Sequence, residues 1–369
     1  MIDDLILIVG GSSAPKGSNG VKVTAGNQLY GWTSFRVTRG IERCPSDFEI
    51  ALTEKYPGQA AAYVAQPGDQ CQAFIGDDLV ITGAIDRFIP SINKGAHSII
   101  LIGRSKCADL VDCSAEWPGG QISGASALGI AQKLAEPYNI FVRGAVDTGP
   151  VIPQTILMRG ESAFEIIERT CRYRALLAFD DVDGNLILSG VGTTMAASGV
   201  AEGINIESAS VVYSIDQRFS DYVAILQAVD AFRDSGEAGY FIATVQDPGV
   251  KRHRLKYIIA EAAYGGIDVS KKRILWEMAR RYGRSTALHV RVDSWRDSAG
   301  ILWTPNTLIP VSIPSLKVTN VQWLIGEVSY LRDEDGTHAD LVIMPPAAFQ
   351  PAPIAPPAFA DVPVGVGRP

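Results

Sequence analysis

The chain contains no stretch approaching the roughly 20 uninterrupted apolar residues of a membrane-spanning helix. Its start, Met1-Ile2-Asp3-Asp4, is acidic and leads into only five apolar residues, Leu5 to Val9. A secretory leader needs a basic start and a longer apolar run, so none is expected. Histidine is scarce, and His97, His253, His289 and His338 are each solitary. Cysteine is scarce and odd in number: Cys44, Cys71, Cys107, Cys113 and Cys171. No two cysteines form a C-x-x-C pair and no histidine completes a zinc set, so neither a metal nor a cofactor is expected. The thiols are expected to be free and buried or half-buried, as in a reducing compartment. There is no G-x-S-x-G elbow and no H-E-x-x-H pair, and no two carboxylates stand apart as an acid/base couple. The residues therefore do not point to an enzyme.

Charge of one sign is not in excess either. With 33 Lys+Arg against 40 Asp+Glu, the net charge of −7 is not that of a general nucleic-acid binder. Hydrophobic residues at 47% and charged residues at 20% exclude a disordered chain. A length of 369 residues implies two to four domains. The 36 glycines and 21 prolines favour many turns and short strands over a helical bundle.

Residues 21–105 read as strands separated by turns. Val21 to Thr24 alternates, and in Ser34 to Arg39 the side chains of Phe35 and Val37 share one face, Arg36 and Thr38 the other. Phe48 to Thr53, Gln72 to Ile75, Leu79 to Ile89 and Ser98 to Ile102 follow, spaced by turns such as Pro67-Gly68-Asp69 and Gly76-Asp77-Asp78. Several alternating strands at this spacing predict a barrel or sandwich.

Residues 106–205 change character. Ser126 opens a helix with Leu128, Ala131, Leu134 and Ala135 on one side, stopped by Pro137. Ser162-Ala163-Phe164-Glu165 is a capping box for a second helix. Leu176 to Phe179 and Leu186 to Leu188 then flank an acidic hairpin tip, Asp180 to Asn185. This is a small α/β module between β-rich parts.

Residues 206–345 return to strands: Ala209 to Ile215, Tyr222 to Val229, Ala287 to Val292, Leu308 to Val311, Trp323 to Tyr330 and Ala339 to Met344. One helix interrupts them, with Ser270 as its cap, Ile274, Met278 and Tyr282 on one face, and Gly283 as its left-handed terminator. Residues 345–369 hold eight prolines, which fits a polyproline-like strap or a disordered end.

Two motifs fail on their chemistry. The Gly-rich run Gly10 to Ser18 has Lys16-Gly17-Ser18, where a P-loop needs lysine followed directly by a hydroxyl, so it reads as a loop. Asp181-x-Asp183-Gly184 resembles part of a calcium loop. Aligning its glycine places Phe179 at the first ligand position and Gly190 where the bidentate Glu belongs. Asp333-x-Asp335-Gly336 fails likewise, with Leu331 first, and both read as hairpin turns.

One charge feature stands out. From Lys251 to Arg284 ten basic residues meet three acids, Glu261, Asp268 and Glu277, so this stretch is +7 inside a chain of −7. It is either a solvated helix face or a surface that docks on an acidic neighbour, including another copy of the chain. Lys271, Lys272, Arg273, Arg280, Arg281 and Arg284 are the contact candidates. No aromatic pattern accompanies the charge, which disfavours nucleic acid. Of the six tryptophans, Trp303 enters a turn, Trp303-Thr304-Pro305-Asn306, and is either core or an interface anchor.

Four stretches in order carry a family resemblance: Gly31 to Arg39 (GWTSFRVTR), Gly103 to Ala115 (GRSKCADLVDCSA), Gly160 to Arg169 (GESAFEIIER) and Leu302 to Val311 (LWTPNTLIPV). They span nearly the whole chain, which resembles the baseplate hub protein of Mu-like contractile-tailed phages, the Mu-type tail protein P. The resemblance implies a mainly β fold with α/β insertions: two tail-tube-like β-barrels and a small α/β module. The implied division is 1–105 for the first barrel, 106–205 for the module and 206–345 for the second barrel, with a helical insertion around 231–285. Residues 346–369, the part least covered by the resemblance, are expected to strap onto a neighbouring subunit or the spike, with Pro353, Pro356 and Pro357 as contact candidates. Segment 123–190 also resembles the helix-and-hairpin arrangement of LysM-like modules, some of which bind glycan; a scaffold role is expected here.

As function, the resemblance implies a homotrimeric ring of six barrels. It would join a sixfold tail tube, or distal tail protein, to a threefold spike and surround a channel that DNA crosses without specific binding. The implied place is the virion tail baseplate, assembled in the bacterial host cytoplasm beside other baseplate proteins. Two alternatives stand beside it: a peptidoglycan-binding or cell-wall-degrading tail protein, and a related hub of a secretion-system spike or noncontractile tail.

Overall fold

A computed structural model describes residues 4–10, 27–29, 32–53, 65–94, 97–174, 176–227, 240–260 and 266–349. The strand expected at Val21 to Thr24, the Gly-rich loop from Gly11 onward, and Pro353, Pro356 and Pro357 lie outside these residues.

The N-terminal strands are Leu5–Val9 (β1), Asn27–Leu29 (β2), Trp32–Gly40 (β3), Asp47–Thr53 (β4), Gln70–Ile75 (β5), Asp78–Ile92 (β6) and His97–Ser105 (β7). The short apolar run Leu5 to Val9, which had no assigned structure from sequence, pairs antiparallel with β5. Next come Ala108–Asp112 (α1), Gln121–Ala125 (β8), Ala127–Ala135 (α2), Val142–Gly144 (β9), Ile152–Ile156 (β10), Ala163–Arg174 (α3), Leu177–Asp180 (β11) and Leu186–Ser189 (β12). The remainder is Val200–Ala201 (β13), Ile206–Tyr213 (β14), Asp221–Gln227 (β15), Tyr240–Gln246 (β16), Leu255–Ala260 (β17), Gly266–Arg284 (α4), Thr286–Val292 (β18), Leu308–Ile313 (β19), Val318–Asp333 (β20) and Gly336–Met344 (β21). The protein is mainly β.

The two β-rich segments are not separate sheets. Thirteen strands form one sheet in the order β14-β18-β21-β20-β3-β4-β7-β6-β5-β1-β2, with β19 on β20 and β13 on β19. The seam is the antiparallel pair β20–β3, from Glu327 opposite Gly40 to Arg332 opposite Phe35. Thr38, on the strand face opposite Phe35 and Val37, is buried at the seam, where its hydroxyl meets that of Ser329 at 2.9 Å. One core cluster crosses the seam, running from Leu5 and Phe48 to Trp295, Ile309 and Leu341. The Phe35 and Trp295 rings lie 5.3 Å apart within it. At the other end of the N-terminal strands, Trp32 Nε1 donates to the Leu5 carbonyl at 3.0 Å and draws β1 toward β3.

The middle segment has its own core, built from Leu110, Ile130, Leu134, Ile166, Ile167, Leu186 and neighbours. Its helices start as their caps dictate. The Ser126 hydroxyl accepts from the Gly129 amide at 3.2 Å. Ser162 and Glu165 form both bonds of the capping box, at 3.2 and 2.8 Å.

Several features depart from the sequence reading. Tyr222 lies on β15, which leaves the large sheet and forms a three-stranded sheet, β16-β15-β17, covered on one face by α4. So the segment expected as a helical insertion carries strands as well. The helix also starts before Ser270, at Gly266, and Gly283 lies within it rather than terminating it. A Cβ on Gly283 would lie 2.1 Å from the Ala348 backbone nitrogen, so the glycine serves close packing of α4 on the turn Pro346–Ala348. Ala348 and Phe349 are buried, so residues 346–349 belong to the fold and not to a free strap. Phe349 also packs closely on Gly326, at the irregularity in β20 between Ile325 and Glu327.

Candidate assembly surfaces

The middle module is locked to the large sheet through buried polar groups. Asp180, at the end of β11, is 2% exposed. Its carboxylate accepts from the Ser46 amide at 3.1 Å and from the Ser46 hydroxyl at 2.9 Å. Burial raises its pKa, opposed by the Ser105 and Ser46 hydroxyls and the charge of Arg39. Cys44 meets Cys107 at the same junction, and that neighbouring thiol together with burial pushes Cys44 well above the ordinary thiol range. Cys71, Cys107 and Cys171 are buried as expected, whereas Cys113 is exposed.

A cleft of about 530 Å³ lies along this junction, lined by Arg39, Asp78, Arg143, Asp181 and Tyr330 among others. Its polar groups bind one another. Asp181 accepts from the amides of Asp183 and Asn185 at 3.0 and 2.9 Å, which makes the acidic tip a hydrogen-bonded turn. Arg143 Nε lies 3.7 Å from Asp181. The Tyr330 hydroxyl donates to the Trp303 carbonyl. Asn306, in the left-handed region at φ 66°, ties the 303–307 turn to the module's exit: its Oδ1 accepts from the Gly192 amide at 2.7 Å and its Nδ2 donates to the Gly190 carbonyl at 3.1 Å. Among the described residues, no group of three His, Cys, Asp or Glu could hold a metal ion. The Asn306 hydrogen bonds join the module's exit and the 303–307 turn.

Trp303, an expected interface candidate, is corrected by its burial. It is 2% exposed and its Nε1 donates to the Ser294 carbonyl at 3.0 Å. The ring fills the core shared by both β segments and has no surface to offer a partner.

The basic stretch divides. Arg280 and Arg284 both donate to Glu42 in the loop after β3. Arg280 also lies 5.1 Å from the centre of the Trp276 ring, and burial lowers its pKa. Arg281 pairs with Glu277 at 2.8 Å and donates to the Gln217 carbonyl at 3.0 Å. Lys271 is half-buried; Lys272 and Arg273 lie on α4, and their side chains are outside the described set. Arg254, Arg281 and Lys256 lie 5.0, 5.2 and 5.6 Å from the Phe219 ring centre. Arg218 makes two bonds to buried Asp247, at 2.9 and 2.8 Å. Lys251 and Arg252, ahead of β17, are exposed, as is Arg284 at the end of α4. Sequence reasoning missed Glu42, Asp180 and Asn306, because each acts on a residue more than 100 positions away and no local spacing signals it.

Among the described residues, no helix is long and apolar enough to cross a membrane. Residues 21–105 match the family "Mu phage baseplate assembly protein GpP-like, N-terminal", and residues 267–352 match its "fourth domain" counterpart. Residues 107–190 match "Baseplate hub protein gp44-like, second domain". The fold resembles that of the 43 kDa tail protein of prophage MuSo2 from Shewanella oneidensis, with TM-score 0.79 and 28% identity, covering 94% of this chain and 99% of that one. A tail protein from Neisseria meningitidis MC58 matches with TM-score 0.76 and 19% identity, covering 95% of this chain and 99% of that one. The baseplate hub protein gp44 of Escherichia phage Mu is 30% identical over 342 residues, which is 90% of this chain and 89% of the phage protein. The chain therefore belongs to the Mu-like baseplate hub family, structural proteins of the phage tail.

Proposed function

We propose that three copies of this chain form the hub ring of a tail baseplate, each contributing two tube-like β lobes, so that six lobes surround the channel. The observation that carries this is the β3–β20 seam, which fixes the two β segments of one chain in a single sheet over a single core. Two lobes held rigidly in each of three chains reconcile a sixfold tube above with a threefold spike below. In this reading the lobes correspond to residues 1–105 and 206–345, closed as barrels, and residues 106–205 act as a LysM-like scaffold. The ring contacts the tail tube or distal tail protein, the spike and other baseplate proteins. It assembles in the host cytoplasm, and DNA crosses it without specific contacts. Residues beyond Phe349, including Pro353, Pro356 and Pro357, strap onto a neighbouring subunit or the spike. Lys271, Lys272 and Arg273 on α4 serve as further subunit or partner contacts in this reading.

Light scattering tests the ring: a mass of three chains supports it, and a single-chain mass both alone and with tube or spike partners contradicts it. Deleting residues 351–369 is expected to weaken spike attachment and leave the described fold intact. Unchanged attachment contradicts the strap.

A further inference from the structure

The three-stranded sheet β16-β15-β17 is covered on one side by α4. Tyr222, Ala224, Ala243, Val245 and Ile258 face α4 and pack on Ile274 and Met278. Strand side chains alternate, so the intervening residues form the opposite face. On that face Leu255 is 40% and Tyr257 59% exposed, beside half-buried Val223. Lys251 and Arg252, just ahead of β17 in the chain, are exposed. Leu255 and Tyr257 are the exposed large apolar side chains described on this face.

Charge argues for what docks there. The stretch 251–284 carries +7, so the rest of this −7 chain carries −14. The Pro-rich segment 351–369 holds one acid, Asp361, and one base, Arg368, and gives no reason to seek a basic patch. A concentrated acidic feature is the β20–β21 hairpin tip, where Asp333, Glu334 and Asp335 are all exposed. The tip is shaped by the Asp335 amide donating to Asp333 Oδ1 at 2.9 Å. Its nearest base in sequence, Arg332, is drawn toward Asp4, 3.8 Å away. Asp333 also lies in the field of Arg291, which Asp340 already pairs at 2.7 Å.

Position argues the same way. The end of α4 packs on the turn Pro346–Ala348, just past the Met344 end of β21. The acidic tip is at the other end of β21, about 30 Å away for a nine-residue strand. A rotational ring is built from two different patches on separate parts of each chain. The basic residues ahead of β17 and the acidic tip of β20–β21 are two such patches on separate elements.

We propose that the Leu255 and Tyr257 face of β17, with Lys251 and Arg252 just ahead of it, docks the acidic hairpin tip Asp333-Glu334-Asp335 of a second copy of this chain. Lys251 and Arg252 pair the carboxylates, while Tyr257 packs at the centre and can donate its hydroxyl to them. The proposal rests on the trimer reading and names the contact that builds it.

The test measures the assembly of the full chain by sedimentation velocity across a concentration series. Lys251→Glu with Arg252→Glu is expected to raise the concentration of half-assembly by about tenfold or more, since like charges then face each other. Asp333→Lys with Glu334→Lys and Asp335→Lys is expected to do the same. Combining all five substitutions is expected to restore assembly, and added salt is expected to weaken the wild-type assembly. An unchanged melting temperature in each variant shows that folding is intact. A trimer that forms as in wild type despite either reversal overturns this contact and leaves the trimer reading standing. A wild-type chain of single-copy mass at every concentration overturns both.

Discussion

The β3–β20 seam is an antiparallel pair, whereas the small sheet β16-β15-β17 joins one antiparallel and one parallel pair, and the two are finished differently. At the seam, the core continues under both halves of the large sheet, with Trp295, Trp303 and Tyr330 all nearly inaccessible. In the small sheet, α4 buries one face and leaves Leu255 and Tyr257 in solvent on the other. The first arrangement holds two β segments in fixed relation. The second presents surface. A protein that works through interfaces needs both, because a docking face transmits geometry only if the body behind it is rigid.

Breaking the rigid side should have the largest effect. Trp303→Ala removes a fully packed ring and is expected to cost about 3–5 kcal/mol. Because one core serves both β segments, calorimetry should show their transitions falling together. A variant in which only one segment melts early would contradict the shared core.

Gly283→Ala strikes the joint between the two arrangements. The new methyl would collide with the backbone at Ala348, and overpacking of this kind costs about 1–3 kcal/mol. Hydrogen exchange should quicken in α4 and the 346–348 turn and stay slow across β3 and β20. Asp180→Ala strips the partner from the Ser46 amide and hydroxyl, at about 1–2 kcal/mol. Its effect should appear as faster exchange where the module meets β4. Glu42→Gln removes the carboxylate that Arg280 and Arg284 share at a part-exposed site, so only about 0.5–1 kcal/mol is expected from chemical denaturation.

Acid titration sharpens the contrast within the module. Glu161, bonded to Arg169 and to the Met158 amide, has its pKa held below the usual carboxylate value. Its stabilisation is present above the ordinary Glu pKa and is lost as pH falls through the lowered one. Asp180, raised by burial, works in reverse: its contribution is greatest at low pH and declines as pH rises through the raised value. Glu161→Gln should flatten the loss of stability in acid, and Asp180→Asn should flatten the opposing slope.

How much of this was legible in the sequence follows from the range of the interactions. The caps at Ser126 and Ser162 were readable because donor and acceptor are three residues apart. The hairpin at Asp181 was readable for the same reason. The alternation of Phe35 and Val37 gave their buried face, yet it could not show Thr38 buried too, since Ser329 is 291 residues away. Tyr222 was readable as strand but not as part of a separate sheet, because pairing partners are chosen in space. Gly283 sits where a helix terminator is expected, and only the approach of Ala348 reveals its other use. Trp303 and the arginines of α4 were legible as residue types, while their partners, Ser294, Glu42 and Gln217, were not. The docking surfaces were the least legible part, because an exposed face is defined by what fails to cover it.

The central claim is that this hub contributes two fixed β lobes per chain to a threefold ring. Imaging the assembled tail at side-chain resolution tests it directly. The account predicts three copies, six β lobes around one channel, and the β3–β20 seam intact within each copy. Any other copy number, or lobes of one chain separated at that seam, would contradict it.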